Sequence, residues 1–229
     1  MYLYPYFDSS FVLLLPAILL AMWAQHNVKS TFEKYSRISA RKSSTAADVA
    51  VMLLSRAGIT NVPVNRVAGK LSDHYDPVKR TVNLSESVYG STSIASLGVA
   101  AHECGHAIQH SIGYAPLMVR NAIVPIINLS SALSVPLIFI GFILQAFGLV
   151  TLGILLFSGV VIFHLITLPV EFNASSRALT MLRNTGALAE AELVGARSVL
   201  NAAAWTYVAT AMVAAAHLLR FIVLSNRRR

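Results

Sequence analysis

The residues best suited to chemistry are His102, Glu103 and His106, in the run His102-Glu103-Cys104-Gly105-His106. On a helix, positions four apart are displaced by about 40° around the axis and about 6 Å along it. Two imidazoles at that spacing can reach one small, borderline-soft cation such as Zn²⁺. Glu103 stands beside the first of them, where its carboxylate can take a proton from water on the metal. A bound zinc ion lowers the pKa of that water toward neutrality and polarises a scissile carbonyl. That division of labour explains why the H-E-x-x-H spacing recurs. A chance five-letter match is the competing reading. Ala100, Ala101 and Gly105 favour the chemical one, because small residues let a second element approach the helix closely.

A catalytic zinc site takes three protein ligands and keeps one position open. The metzincin extension fails, since Ile112 stands six residues beyond His106. His110 continues the same helix face a further turn along, which suits a supporting or substrate-facing role. Glu171 is the only acidic residue between Glu103 and Glu190, directly after a long apolar stretch. A carboxylate there is costly enough to suggest a ligand; the plainer alternative is a glutamate in the first turn of a helix. Ser175, one turn on, is placed to hydrogen-bond Glu171 or a ligand histidine. Cys104 lies about 100° around the helix from its neighbours and reads as a packed thiol. His26, His164 and His217 read as packed residues within or near apolar helices. In Asp73-His74-Tyr75-Asp76, His74 or Tyr75 can donate to an oxyanion, while Asp76-Pro77 equally fits an ordinary turn. An edge strand in this region would allow a substrate to bind by strand addition.

The elements that must position these residues belong to a membrane protein. Of the 229 residues, 55% are hydrophobic and 12% charged, against roughly 25% charged in soluble domains. Three stretches carry no Asp, Glu, Lys or Arg: Ser9 to Val28, Asn121 to Val170, and Ser198 to Leu219. The first and last each fit one span of about 20 residues, and the middle one fits a two-span hairpin. The expected fold is an α-helical membrane protein with a small α+β zincin-like catalytic portion and about four transmembrane helices. Its expected divisions are an anchor (1–28), a catalytic portion with the H-E-x-x-H helix (29–118), a transmembrane hairpin (119–170), a helix bearing the third ligand (171–201), and a last transmembrane helix with a basic tail (202–229). The first stretch reads as a retained anchor, because no Lys or Arg precedes it and it ends on bulky Met22 and Trp23. Tyr2, Tyr4, Tyr6 and Trp23 suit interfacial positions.

Within the catalytic portion, Ala46, Val49, Ala50, Leu53, Leu54 and Ala57 predict an amphipathic helix stopped by Gly58. Alternation from Ile59 to Leu84 predicts two or three short strands. Ser91 to Ile112 predicts the motif helix. Pro125 and Pro136 are expected to break the hairpin, and Leu168-Pro169-Val170 to end it. Eleven of the 18 Lys and Arg residues lie between Lys29 and Arg120. The positive-inside rule then puts the catalytic portion in the cytoplasm; Arg227-Arg228-Arg229 pulls the other way. The net charge of +8 is accounted for by topology and anionic lipid, with no nucleic acid. Cys104, the single cysteine, suits a reducing compartment.

Four segments carry a family resemblance: Leu71-Ser72-Asp73-His74-Tyr75-Asp76-Pro77, Gly98-Val99-Ala100-Ala101-His102-Glu103, Gly105-His106-Ala107-Ile108-Gln109, and Leu168-Pro169-Val170-Glu171-Phe172-Asn173-Ala174-Ser175. Over nearly its whole length the chain resembles the bacterial YugP-type membrane-bound neutral zinc metallopeptidases. It is also similar to HtpX-type membrane proteases, in which a membrane hairpin separates the H-E-x-x-H helix from a glutamate ligand. The resemblance implies a gluzincin-type site with His102, His106 and Glu171 on zinc, in a bacterial plasma membrane. Asn173 and Ser175 would border it. HtpX-type proteins usually carry Asp four residues after that glutamate; Ser175 stands there, so a carboxylate partner for a ligand histidine does not carry over. The expected partners are the bilayer and a protein or peptide substrate, with a membrane-protein partner or a second copy of the chain as further candidates. A non-catalytic zinc-stabilised scaffold or a metal transporter is the alternative. A scaffold has no need of Glu103, and a transporter calls for more mid-span acidic or histidine residues than His164 and His217.

Overall fold

The computed structural model describes residues 9–69 and 71–227. The tyrosines at positions 2, 4 and 6, together with Lys70, Arg228 and Arg229, lie outside the described residues. After a 3-10 turn (Ser9–Leu14), the helices are α1 (Leu15–Ser36), α2 (Ala46–Arg56), α3 (Glu86–Tyr89), α4 (Ile94–Ser111), α5 (Ala115–Ile143), α6 (Phe147–Asn184) and α7 (Glu190–Arg227). Three strands, β1 (Val64–Val67), β2 (His74–Asp76) and β3 (Thr81–Ser85), lie between α2 and α3. Among the described residues, four helices are long and apolar enough to cross a membrane, spanning Ser10–Ser36, Ala115–Ile143, Phe147–Asn184 and Glu190–Asn226. The protein is thus a helical membrane protein with a small α+β portion.

Two compact units emerge. Of the described residues, one takes those within 9–24, 119–167 and 206–227; the other takes those within 25–118 and 168–205. In the first, α5 and the start of α6 form a hairpin turning at Leu144–Ala146, with Gln145 at φ +54. Glycine makes that hairpin tight: a Cβ on Gly141 would lie 2.8 Å from the Val150 nitrogen, and one on Gly153 would lie 2.8 Å from the Ser134 carbonyl oxygen. Small residues of this kind let helix backbones approach where lipid gives no hydrophobic drive to associate. Ile126, Leu129, Phe139, Ile143 and Leu155 remain exposed, as lipid-facing residues must.

Pro125 and Pro136 lie inside an uninterrupted α5, and Pro169 inside an uninterrupted α6. The expected breaks therefore do not occur. A proline removes one i to i−4 hydrogen bond, and within a span the rest of the ladder keeps the helix, since lipid offers the backbone no other partner. At 38 residues, α6 extends about 57 Å, well beyond a hydrocarbon core of about 30 Å. It carries Glu171 past its charge-free stretch without an element boundary. The chain breaks later, where Gly186 takes φ +61.

The second unit has a conventional core. Thr45 caps α2 in a reciprocal capping box with Asp48, and Ser93 caps α4 by accepting from the Ser96 nitrogen. Leu53, Leu54, Leu84 and Leu97 are each almost wholly buried and contribute roughly 1.5–3 kcal/mol apiece. The sheet runs β1-β3-β2, with β1 parallel and β2 antiparallel to β3. Val82 and Leu84 of the central strand face the core. Helix α4 packs against α2 on one side and touches β2 and β3 on another. Backbone bonds from the Ile94 nitrogen to Ile38 O and from the Ala40 nitrogen to Thr92 O fix its start.

Candidate metal centre

The site belongs to the second unit, where α4 crosses α6. Glycine sets the closeness of that crossing: a Cβ on Gly105 would sit 2.7 Å from the Ala174 carbonyl oxygen and 3.2 Å from the Ala174 Cα. Ala174 is fully buried and lies one turn beyond Glu171. Because α4 lacks a side chain at Gly105, His102 and His106 on either side of it meet Glu171.

The two imidazoles converge on one carboxylate oxygen. His102 Nε2 is 3.2 Å and His106 Nε2 3.6 Å from Glu171 Oε2. One ligand atom from each of the three residues lies within 4.8 Å of the others, and this is the one such His/Cys/Asp/Glu grouping among the described residues. Tetrahedral bonds of about 2.0–2.1 Å put neighbouring ligand atoms about 3.3 Å apart. The two nitrogen–oxygen separations bracket that value, and two nitrogens with one carboxylate are a donor set zinc accepts, so the residues fit the ion. The rings stack edge to face, with centroids 4.7 Å apart. Burial is deep: Glu171 is 2% exposed and His106 8%.

Each histidine is held from behind. Ser175 Oγ lies 3.2 Å from His102 Nδ1, and Gln109 Oε1 lies 3.0 Å from His106 Nδ1. Burial pushes the His106 pKa down. The nearby Glu171 carboxylate, the charge of Glu103, and Gln109 outweigh it and raise the pKa above the ordinary histidine value. Glu103, one residue along from His102, is 7% exposed. Its carboxylate makes no hydrogen bond or ion pair among the described residues.

The other sequence candidates divide. Tyr75 and His110 come together, with the phenol oxygen 2.8 Å from His110 Nδ1 and the rings edge to face at 5.8 Å. Burial is the main cause raising the Tyr75 pKa, partly offset by Arg80, and keeps the phenol protonated. His74 is exposed and has both nitrogens engaged, Nδ1 with Ser72 O and Nε2 with the Asn83 amide. Asp76 accepts from the Val78 and Lys79 nitrogens, so the Asp76-Pro77 pair does form a turn. Asp73 accepts from the Ser85 nitrogen and hydroxyl. Asn173 Oδ1 accepts from Gln109 Nε2 and Arg177 Nε. Burial raises the Cys104 pKa, and the thiol donates to Ala50 O, as a packed thiol should. Glu171 lies well inside α6, which removes the helix-start alternative. Gln109 was legible only as one more polar residue on the motif helix; its complete burial three residues after His106 is what marks it out.

Comparison with known proteins agrees with this geometry. Residues 10–226 match the family described as "Putative neutral zinc metallopeptidase". The chain is also similar to the Bacillus subtilis (strain 168) protein called "Putative membrane protease YugP", at 48% identity over 213 residues, covering 93% of this chain and 94% of that protein. No solved structure gives a significant match.

Proposed function

We propose that this chain, which belongs to the neutral zinc metallopeptidase family matched along its length, is a membrane metalloendopeptidase with His102, His106 and Glu171 as zinc ligands and Glu103 as general base. The observation that carries the reading is the convergence of both Nε2 atoms on one buried Glu171 oxygen. Bound zinc supplies a Lewis acid that polarises the scissile carbonyl and makes water acidic enough to lose a proton near neutral pH. Glu103, with no competing partner in the protein, takes the proton from the attacking water and delivers it to the leaving amide nitrogen. Ser175 orients His102 from behind. Tyr75 is the donor proposed for the developing oxyanion, with His110 Nδ1–H donating to the phenol oxygen so that the O–H stays free. The side-chain amide nitrogen of Asn173 has no partner among the described residues and suits a substrate carbonyl. Strand β2 is a sheet edge that touches α4, so an extended substrate can add to it as a further strand.

The substrates assigned are membrane or membrane-proximal proteins and peptides reaching the cytoplasmic face of a bacterial plasma membrane. Four apolar helices and the basic residues between Lys29 and Arg120 support that placement. The test compares wild type with Glu103→Gln, both purified in detergent. Equal zinc content is expected, with cleavage of an unfolded protein or peptide library reduced roughly 10²–10⁴-fold in the variant. Equal cleavage by the two proteins would refute the mechanism. Equal zinc with no cleavage by either would favour the scaffold.

A further inference from the structure

We propose that Gln109 is a positioning residue that selects the tautomer of neutral His106 and ties it to the α6 segment carrying Glu171. The inference rests on the proposed zinc site and goes beyond it. Gln109 is 0% exposed. Its Nε2 donates to the Val170 carbonyl at 2.8 Å and to Asn173 Oδ1 at 3.0 Å. A backbone carbonyl only accepts, so the amide nitrogen must face Val170 and the amide oxygen must face the histidine ring. That oxygen, 3.0 Å from His106 Nδ1, is itself only an acceptor. The proton of a neutral His106 therefore sits on Nδ1, and Nε2 presents a lone pair toward Glu171 Oε2. A lone pair aimed at a carboxylate is repulsive unless a cation lies between them. Gln109 thus prepares His106 to bind metal and excludes the tautomer that would merely hydrogen-bond Glu171.

His102 has no such lock. Its Nδ1 partner is the Ser175 hydroxyl, which can donate or accept and leaves either tautomer open. Gln109 also bonds the carbonyl of the residue immediately before Glu171, so one side chain fixes a histidine ligand on α4 and the backbone beside the carboxylate ligand on α6.

The test measures zinc affinity by chelator competition on the full-length chain in detergent, alongside thermal melting of the zinc-free proteins. Gln109→Met removes every hydrogen bond of the side chain and is expected to weaken zinc binding roughly 10–100-fold. Gln109→Glu keeps an acceptor for His106 Nδ1 and is expected to stay within about tenfold of wild type, the lower end of that range. Two results would overturn the proposal: a Met variant within about threefold of wild type, or a Glu variant as weak as the Met variant. The second would mean that only the tie to Val170 matters, since a carboxylate has no N–H for that carbonyl. If zinc-free melting shows one variant unfolded, the other decides against the same limits. Wild type that binds no zinc would sink the proposed function itself, which separates that failure from failure of the Gln109 assignment.

Discussion

Gly105→Ala tests the crossing that assembles the site. The added Cβ would lie 2.7 Å from Ala174 O and 3.2 Å from the Ala174 Cα and carbonyl carbon. All three are backbone atoms of a buried helix, so none can swing aside. Restoring an ordinary contact of 3.4 Å requires α4 and α6 to part by about 0.7 Å along that line (3.4 − 2.7). Metal–ligand distances tolerate about 0.2 Å, and Glu171 sits one turn from the point of contact. Overpacking of this kind costs about 1–3 kcal/mol. Borne by the metal site, that is roughly 5- to 150-fold in zinc affinity. Borne by the fold, it is partly offset by the roughly 1 kcal/mol that alanine gains over glycine in a helix.

Gly98→Ala on the same helix is the control. Its Cβ would meet Ala196 at 3.6–3.9 Å, an ordinary contact. It should gain helix propensity and leave zinc binding unchanged. Chelator competition and thermal melting on both variants separate the two sites. Gly105→Ala binding zinc as tightly as Gly98→Ala, and melting as high, would refute the view that Gly105 is small because Glu171 must come close.

Glu171→Gln should lower zinc content by metal analysis while Thr45→Ala, which removes a distant helix cap, leaves it unchanged; full zinc in Glu171→Gln would place the third ligand elsewhere. The zinc-induced rise in melting temperature should grow with pH. His106 in the zinc-free protein has a raised pKa, so the stability it lends is fully present below the unfolded value of about 6.5 and is lost as pH rises through the higher folded value. Zinc binding gains across the same window because the proton no longer competes, and a pH-independent zinc effect would contradict this.

The residues proposed as ligands stood out in the sequence because their signals are local or compositional. His102 and His106 are one turn apart, and Glu171 is the sole acidic residue between Glu103 and Glu190. Gln109 was not legible in the same way. Its role depends on a carbonyl 61 residues away, and nothing about a glutamine on a polar helix reports which amide edge faces which partner. The same holds for His110, whose pairing with Tyr75 depends on β2 reaching α4. Pro169 misled in a different sense. Proline weakens a helix locally, yet α6 runs through it, and the turns that follow are held by Val170, Ala174 and Ala178, all fully buried. Helix ends inferred from proline are least secure where the turn after the proline is packed.

That continuity bears on how the site is built. His106 and Glu171 are 65 residues apart, with the whole membrane hairpin between them. Closing a loop of that length carries an entropic cost that grows slowly with its size, and a metal ion binding only the closed form would normally repay it. Here the crossing has other supports. Gln109 bridges α4 to Val170, Gly105 admits Ala174, and Ala178 and Leu182 of α6 join Leu97, Ala100, Ala101 and Cys104 of α4 in one buried core. The proposed ligands are therefore brought together by apolar packing and one amide, with the ion left to bind a site already shaped for it. Such preorganisation separates the residues that make the crossing from the one proposed to move a proton: Glu103 makes no hydrogen bond or ion pair from α4 to α6 among the described residues, which leaves its carboxylate free for the water it is proposed to activate.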